Sequence, residues 1–185
     1  MGSETLSASV ALNLVTKQMR KTAIHCQEAS KADLPDILRL LAQPELDDGE
    51  ALPLAEAERM FERMARYPDY RMYVAIRGDR IVGCYALLIM DNLGHLGAPS
   101  GVIEDVAVDP QFHGQGIGTA MMRHELRVGA DKGCYKVALS SNLTRTRAHA
   151  FYEALGFERH GYSFRVLTDP SLPDDAQGSR AQHDE

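Results

Sequence analysis

The spacing of apolar residues changes period several times along the chain, and each change marks an element. A short apolar–polar stretch at 24–28 is read as a first strand. Asp33 is placed to cap a helix that carries Pro35 in its first turn, where a missing N–H costs nothing, with Ile37, Leu38 and Leu41 on one face. A second helical rhythm over 54–66 aligns Ala57, Met60, Phe61 and Met64, and Pro68 closes it. Two β-rich apolar runs, 72–76 and 81–90, flank Arg77-Gly78-Asp79-Arg80, whose Gly-Asp centre reads as a tight hairpin. A further strand covers 102–108. A helix over 119–132 turns Met122, Leu126 and Ala130 inward and ends at Gly133. The remainder is a strand at 135–140, a helix over 144–155 stopped by Gly156, and a last strand at 162–167. The order βαα-βββ-αβ-αβ predicts an α/β (α+β) layer structure around a mixed sheet.

The ends of the chain lack these rhythms. Residues 1–21 are rich in Ser, Thr and Ala and predict a peripheral N-terminal extension; residues 168–185 are polar, acidic and rich in turn formers and predict a disordered tail. One domain, 22–167, remains, long enough to build a core without metal or disulfide staples. Lys and Arg number 20 against 26 Asp and Glu, a formal charge of −6, which argues against a general nucleic-acid binder while leaving room for a local basic pocket. No stretch approaches the ~20 apolar residues of a membrane helix. The N-terminus has no basic segment ahead of its apolar patch, so the cytoplasm is the expected compartment, with neither membrane nor nucleic acid as partner. Cys26, Cys84 and Cys134 form no CxxC pair and read as three buried, reduced thiols. His124-Glu125 opens like HExxH, but Val128 stands where the second His belongs, and no metal is expected.

The chemistry concentrates in VIEDVAVDPQFHGQGIGTAMM, residues 102–122. A strand runs into an Asp109-Pro110 turn, then Gly114, Gly116 and Gly118 alternate directly into a helix. Free backbone amides at a helix N-terminus, approached through glycines, make a cradle for an anion. The P-loop is excluded because Thr119-Ala120 follows Gly118 where Lys is required, and the spacing is GxGxG rather than the dinucleotide GxGxxG.

With RAHAFYEALGF at 147–157, these residues make the chain resemble the GNAT superfamily of N-acetyltransferases over about 22–167. IEDVAVDPQFHGQGIG is similar to the acetyl-CoA signature of that family, although His113 stands where Arg or Gln is usual. GVIEDVAVDP and GCYKVAL are similar to stretches of glucosamine-6-phosphate N-acetyltransferases, and LSSNLTRTRAHAFY to aminoalkylphosphonate N-acetyltransferases. The resemblance implies the GNAT fold, a mixed central sheet splayed between its middle strands and flanked by about four helices. It implies acetyl-CoA as co-substrate, a small-molecule amine as acceptor, and a homodimer. It also implies cofactor contacts at Val106, Ala107, Val108, His113, Gly114, Gln115, Gly116, Ile117, Gly118, Thr119, Asn142 and Tyr152.

Acetyl transfer to an amine needs a base, a donor for the thioester oxygen, and neutralisation of the departing thiolate. A carboxylate inside the apolar strand VIEDVAV is costly unless it is used or hydrogen-bonded. Glu104 and Asp105 are adjacent and leave opposite faces of a regular strand, so only one faces the cleft. The resemblance favours Glu104 as the base, acting through water, the Val106 N–H as the oxygen's donor, and Tyr152 as the acid. Asn142 reads equally as a cofactor contact or as part of a helix cap. Arg145 and Arg147 begin a helix, an unfavourable place for cations unless an anion lies there. The acidic loop with Glu45, Asp47, Asp48 and Glu50 would instead suit a cationic amine. Two other functions fit the same residues: acetylation of a protein or peptide amine, and a non-catalytic acyl-CoA-binding module, against which the presence of both Glu104 and Tyr152 argues.

Overall fold

A computed structural model of the chain describes residues 23–166; the extension and the tail expected at its two ends lie outside them. The elements in order are β1 (Ile24–Glu28), α1 (Leu34–Leu41), α2 (Pro44–Asp47), α3 (Leu54–Met64), β2 (Tyr70–Arg77), β3 (Arg80–Met90), β4 (Ser100–Val108), α4 (Ile117–Asp131), β5 (Lys136–Leu139) and α5 (Thr146–Ala154). Gly78 takes φ 66° in the two-residue β2–β3 turn, and Gly133 (φ 74°) and Gly156 (φ 91°) end α4 and α5 at left-handed positions, as their places in the sequence predict.

The five strands lie in the order β1-β2-β3-β4-β5, antiparallel except for a parallel β4–β5 pair. Alternation along β2 and β3 splits the core between two faces. Met72, Val74, Cys84 and Ala86 pack with Leu34, Ile37 and Leu40 of α1. Ala75, Val82, Tyr85 and Leu87 pack with Ile117, Met121 and Met122 of α4 and with Phe151 and Tyr152 of α5. The result is a mixed sheet between two helical layers. Close approach sets the position of α4: a Cβ on Gly83 of β3 would lie 2.6 Å from Met121 Sδ, and one on Gly129 of α4 would lie 2.7 Å from Val137 Cγ2 of β5.

Two features of β4 matter most. Its pairing with β5 runs only from Ser100↔Lys136 to Ile103↔Leu139, whereas β4 itself continues to Val108. Residues 104–108 therefore face β5 with no strand partner, which is the expected splay. On its other side β4 carries a bulge: Cys84↔Ala107 and Ala86↔Glu104 place three steps of β4 against two of β3, and Asp105 takes φ 54°.

Several expectations are corrected. The described part of the stretch expected as a last strand is not a strand, and Tyr162, Phe164 and Val166 are exposed. The inward face of α1 is Leu34, Ile37 and Leu40, with Leu38 and Leu41 half-buried. On α4 the buried row is Ile117, Met121, Met122, Glu125 and Gly129, while Leu126 and Ala130 are exposed. Met122 is inward as expected, but the buried row passes through Glu125 rather than Leu126. Of the three cysteines, all free, only Cys84 is fully buried. Among the described residues, no helix is long and apolar enough to cross a membrane, and no group of His, Cys, Asp or Glu could hold a metal ion.

Candidate active site

The turn after β4 is held by Asp109. Its side chain is 5% exposed and pairs with Arg39 Nη1 of α1 at 3.0 Å and with Arg80 Nη2 of β3 at 3.7 Å. Its Oδ1 accepts from the Gln111 amide at 3.0 Å. Arg39 also donates to the Ile81 carbonyl at 3.0 Å, so one guanidinium ties α1, β3 and the loop together. Arg77 and Arg80 lie 5.7 and 5.2 Å from the centre of the Phe112 ring, and Arg77 bonds the Gln115 side chain. These contacts join residues far apart in sequence.

Beyond Phe112 the chain turns through Gly114 (φ 71°) and Gly116 (φ 82°), and no atom lies within 4 Å of a Cβ on either. Gly116 is the N-cap residue of α4, and no side chain caps that end. The first amides of a helix of 15 residues thus open onto the exposed loop 113–116. Ile117 contributes backbone alone, its side chain being 1% exposed in the core. Gly118 lets Phe151 approach, since a Cβ there would be 3.0 Å from the ring, and Thr119 is half-buried beside it. The imidazole of His113 turns back to donate from Nε2 to the Val108 carbonyl at 3.1 Å.

The Asp109 amide donates to the Val82 carbonyl of β3 at 2.9 Å. Ladder alternation then turns the Ala107 amide toward β3 and the Val106 and Val108 amides toward the open edge. The Val108 carbonyl is not free: besides His113 it accepts from Gln43 Nε2 at 3.3 Å. Val106, Val108 and Tyr152 all pack against the same hydrophobic cluster, on the α4 and α5 face of the sheet. Tyr152 lies against Phe151 and Phe157, with centroids 5.2 and 5.7 Å away. Burial pushes its phenol above the usual value, with Arg145 opposing and Glu125 adding to the rise.

The bulge overturns the expectation that Glu104 and Asp105 leave opposite faces. Both are exposed, and the charges of both reach the half-buried Tyr70 on the α1 side, whose phenol is raised by burial first, then by Asp105 and Glu104. Glu104 is itself raised, by partial burial and then by Asp105. Asn142 is used in a turn, its Oδ1 accepting from the Thr144 amide at 3.0 Å and hydroxyl at 2.9 Å. Arg145 is half-buried near Tyr152, and Arg147 is exposed.

Sequence reasoning missed four groups here. Arg39, Gln43 and Arg77 leave no local signal because their partners are remote. Glu125 left one: it lies four residues after Met121 and four before Gly129, on the buried row of α4. Its carboxyl oxygens and the Ser141 Oγ are buried and unpartnered among the described residues.

Residues 34–157 match the model of the Acetyltransferase (GNAT) family. The glucosamine 6-phosphate N-acetyltransferase of Trypanosoma brucei brucei is 40% identical over 87 residues, which are 47% of this chain and 57% of that one. The aminoalkylphosphonate N-acetyltransferase of Salmonella typhimurium is 28% identical over 97 residues, 52% of this chain and 62% of that one. The chain thus spans less than two thirds of each of these two relatives. A solved acetyltransferase of Trypanosoma brucei, 31% identical, superposes with a TM-score of 0.65 over 79% of this chain and 100% of its own.

Proposed function

The chain belongs to the acetyltransferase (GNAT) family, and on that premise we propose that it transfers the acetyl group of acetyl-CoA directly to the primary amine of a small molecule. The observation that carries this reading is the unpaired edge of β4 after Ile103, with the α4 amides at one end and Tyr152 packed on the same face of the sheet. Acetyl-CoA fits the residues present. The amides after Gly116 suit its pyrophosphate, and the edge amides of Val106 and Val108 suit its extended arm. The buried Ser141 hydroxyl just past β5 lacks a partner among the described residues. The contacts proposed at His113, Gly114, Gln115, Ile117, Gly118 and Thr119 are backbone ones, the His113 and Ile117 side chains being turned elsewhere, whereas Ala107 is withdrawn as a contact because its backbone faces β3 and its side chain is buried on the α1 side. Asn142 contributes its side-chain amide, its oxygen being engaged in the turn. When bound, acetyl-CoA supplies an acyl carbon activated as a thioester.

The roles of the chain's own groups follow from their surroundings. A free alkylammonium has a pKa near ~10 and must lose a proton to attack. Glu104, raised toward neutrality by burial and Asp105, is the base that receives this proton through water. The Val106 N–H, turned to the open edge, donates to the thioester oxygen as charge develops there. Tyr152 keeps its proton at neutral pH and gives it to the departing thiolate. The relatives named above act, by their names, on glucosamine 6-phosphate and aminoalkylphosphonates, which supports a small amine as acceptor.

The partner proposed for the exposed Tyr162, Phe164 and Val166 is a second copy of the chain, since these apolar residues alternate along the sequence and all stand exposed. Light scattering then reads a dimer in the unmodified protein and a monomer in Phe164→Glu; a monomer in both refutes this contact.

The test of function is thiol release from acetyl-CoA over a panel of amines, including amino sugars with and without phosphate, aminoalkylphosphonates, polyamines and peptides. Release with a small amine, lowered by Glu104→Gln and Tyr152→Phe, is expected. Release only with peptides overturns the small-molecule acceptor. Binding of acetyl-CoA without release on any amine overturns the enzymatic reading.

A further inference from the structure

The end of the β2–β3 hairpin carries two arginines in an unfavourable arrangement. Arg77 and Arg80 flank the Gly78-Asp79 turn and are register partners across it, so their side chains leave the same face of the sheet. Like charges placed directly opposite one another destabilise a strand pair. The Phe112 ring relieves part of this, the two guanidinium carbons lying 5.7 and 5.2 Å from its centre. Asp109 relieves a further part, but for Arg80 alone, whose Nη2 is 3.7 Å from its carboxylate. That carboxylate is shared with Arg39 at 3.0 Å. Among the described residues no carboxylate pairs with Arg77, Asp79 of the turn included, and its guanidinium meets one acceptor, the Gln115 side-chain oxygen. An arginine has five N–H donors, so most of this fork is unengaged.

The place of this pair gives the arrangement a use. Gln115 belongs to the glycine loop, and its Nε2 donates to the Gln111 carbonyl at 3.0 Å. The same side-chain amide thus holds Arg77 beside the loop 113–116. Phe112, the ring that both arginines face, ends the turn from which that loop starts. Space is open there, since no atom lies within 4 Å of a Cβ on Gly114 or Gly116. The two arginines therefore border the cradle proposed for the pyrophosphate, on the hairpin side, while the α4 amides form its floor. Parallel N–H groups of an arginine fork match the oxygens of a phosphate in both geometry and charge.

We propose that Arg77, assisted by Arg80, binds the 3′-phosphate on the ribose of coenzyme A and so makes the protein selective for the fully phosphorylated carrier. The inference rests on the acetyl-CoA reading above. In that carrier the ribose joins the pyrophosphate through its 5′ oxygen and bears a further phosphate on its 3′ oxygen. This monoester carries roughly −1.5 to −2 charges at neutral pH. It lies one sugar ring away from the pyrophosphate, and Arg77 stands off from the loop backbone by the Gln115 side chain that joins them. An anion between the two guanidinium groups cancels the repulsion that the hairpin otherwise bears. Arg77 contributes the larger share, because Arg80 is partly neutralised by Asp109. The Arg80 side chain is 54% exposed, so salt screens this attraction.

The test is calorimetric titration of the whole chain with acetyl-CoA and with acetyl-dephospho-CoA, which lacks only the 3′-phosphate. The unmodified protein is expected to bind acetyl-CoA roughly tenfold more tightly at low salt, the scale of a charge-assisted hydrogen bond to arginine. That ratio shrinks as ionic strength rises. Arg77→Gln brings the ratio close to unity, and Arg80→Gln lowers it less. Arg77→Lys keeps part of it, because the charge stays and the fork is lost. Equal binding of the two carriers by the unmodified protein overturns the proposal and leaves the acetyl-CoA reading standing. Equal weakening of both carriers by Arg77→Gln overturns it as well, since the guanidinium then serves the loop or the pyrophosphate. A second measurement needs no variant: displacement of bound acetyl-CoA by adenosine 3′,5′-bisphosphate and by adenosine 5′-phosphate. The bisphosphate is expected to compete more strongly, and equal competition overturns the proposal. A preference for acetyl-CoA that Arg77→Gln abolishes, in a protein that acetylates no amine, leaves the phosphate contact standing and overturns the acetyl-transfer reading instead. Binding of neither carrier overturns both.

Discussion

Replacing Glu125 by Gln keeps the shape of the side chain and removes its ability to ionise, so its effect on stability isolates one physical term. In the unfolded chain the carboxyl titrates near its usual 4.5, whereas in the fold burial holds it protonated to about pH 9. A folded pKa raised in this way gives stability that is complete below pH 4.5 and declines as pH rises toward 9. At pH 7 the unfolded state is favoured by its freedom to ionise by about 3 kcal/mol, at 1.36 kcal/mol per unit over roughly 2.5 units. At pH 5 the same difference is only about 1 kcal/mol. The glutamine amide has no such dependence, and the cost of burying it is the same at both pH values. Glu125→Gln is therefore expected to gain on the unmodified protein by about 2 kcal/mol between pH 5 and pH 7, whatever its offset at pH 5. Urea unfolding at the two pH values measures this, with a relative midpoint shift of about 1 M for a slope near ~2 kcal/mol/M. Parallel stabilities across that range would refute the reasoning, because they would mean that Glu125 is ionised and partnered in the fold.

Further outcomes follow from other contacts. Gly116→Ala forces φ 82° on a residue with a Cβ, at a cost of about 1–2 kcal/mol, and calorimetric titration should show weaker acetyl-CoA binding. Gly83→Ala drives a Cβ to 2.6 Å from Met121 Sδ and 3.1 Å from the Ala107 carbonyl, and thermal unfolding should register a loss of about 1–3 kcal/mol. Asp109→Asn removes the buried one of the two carboxylates that Arg39 pairs with, leaving Asp36. Since the Arg39 side chain is 44% exposed, the loss should be about 2 kcal/mol rather than the ~3–5 of a fully buried pair, with binding of acetyl-CoA weakened as the loop loosens. Because burial and Asp105 raise Glu104, kcat/KM should rise with pH through a midpoint above 4.5, and Glu104→Gln should lose that limb.

The glycine loop was legible because its information is local. Gly114 and Gly116 sit at left-handed φ values that other residues resist, and alternation placed them at the mouth of a helix. The β2–β3 hairpin and the helix stops at Gly133 and Gly156 were legible for the same reason. The faces of α1 and α4 were misjudged where a charged residue took a core position or where two leucines competed for one stripe. The expected last strand followed from alternating Tyr162, Phe164 and Val166, but alternation specifies a strand only when a neighbour supplies hydrogen bonds, and 161–166 has none within the described sheet.

The chain by itself determined most of the order of elements as far as 154 and the left-handed glycines of the loop, since these depend on the period of neighbouring side chains and on local backbone freedom. Tertiary structure decided where the side chains point. The bulge at Asp105 exists because β4 places three steps against two of β3, and that register turns both Glu104 and Asp105 toward Tyr70. The open edge of β4 exists because β5 stops pairing at Leu139. The protonation of Glu125 exists because the strands and α5 close over it, and burial is a property of packing between segments distant in sequence, which no local pattern encodes.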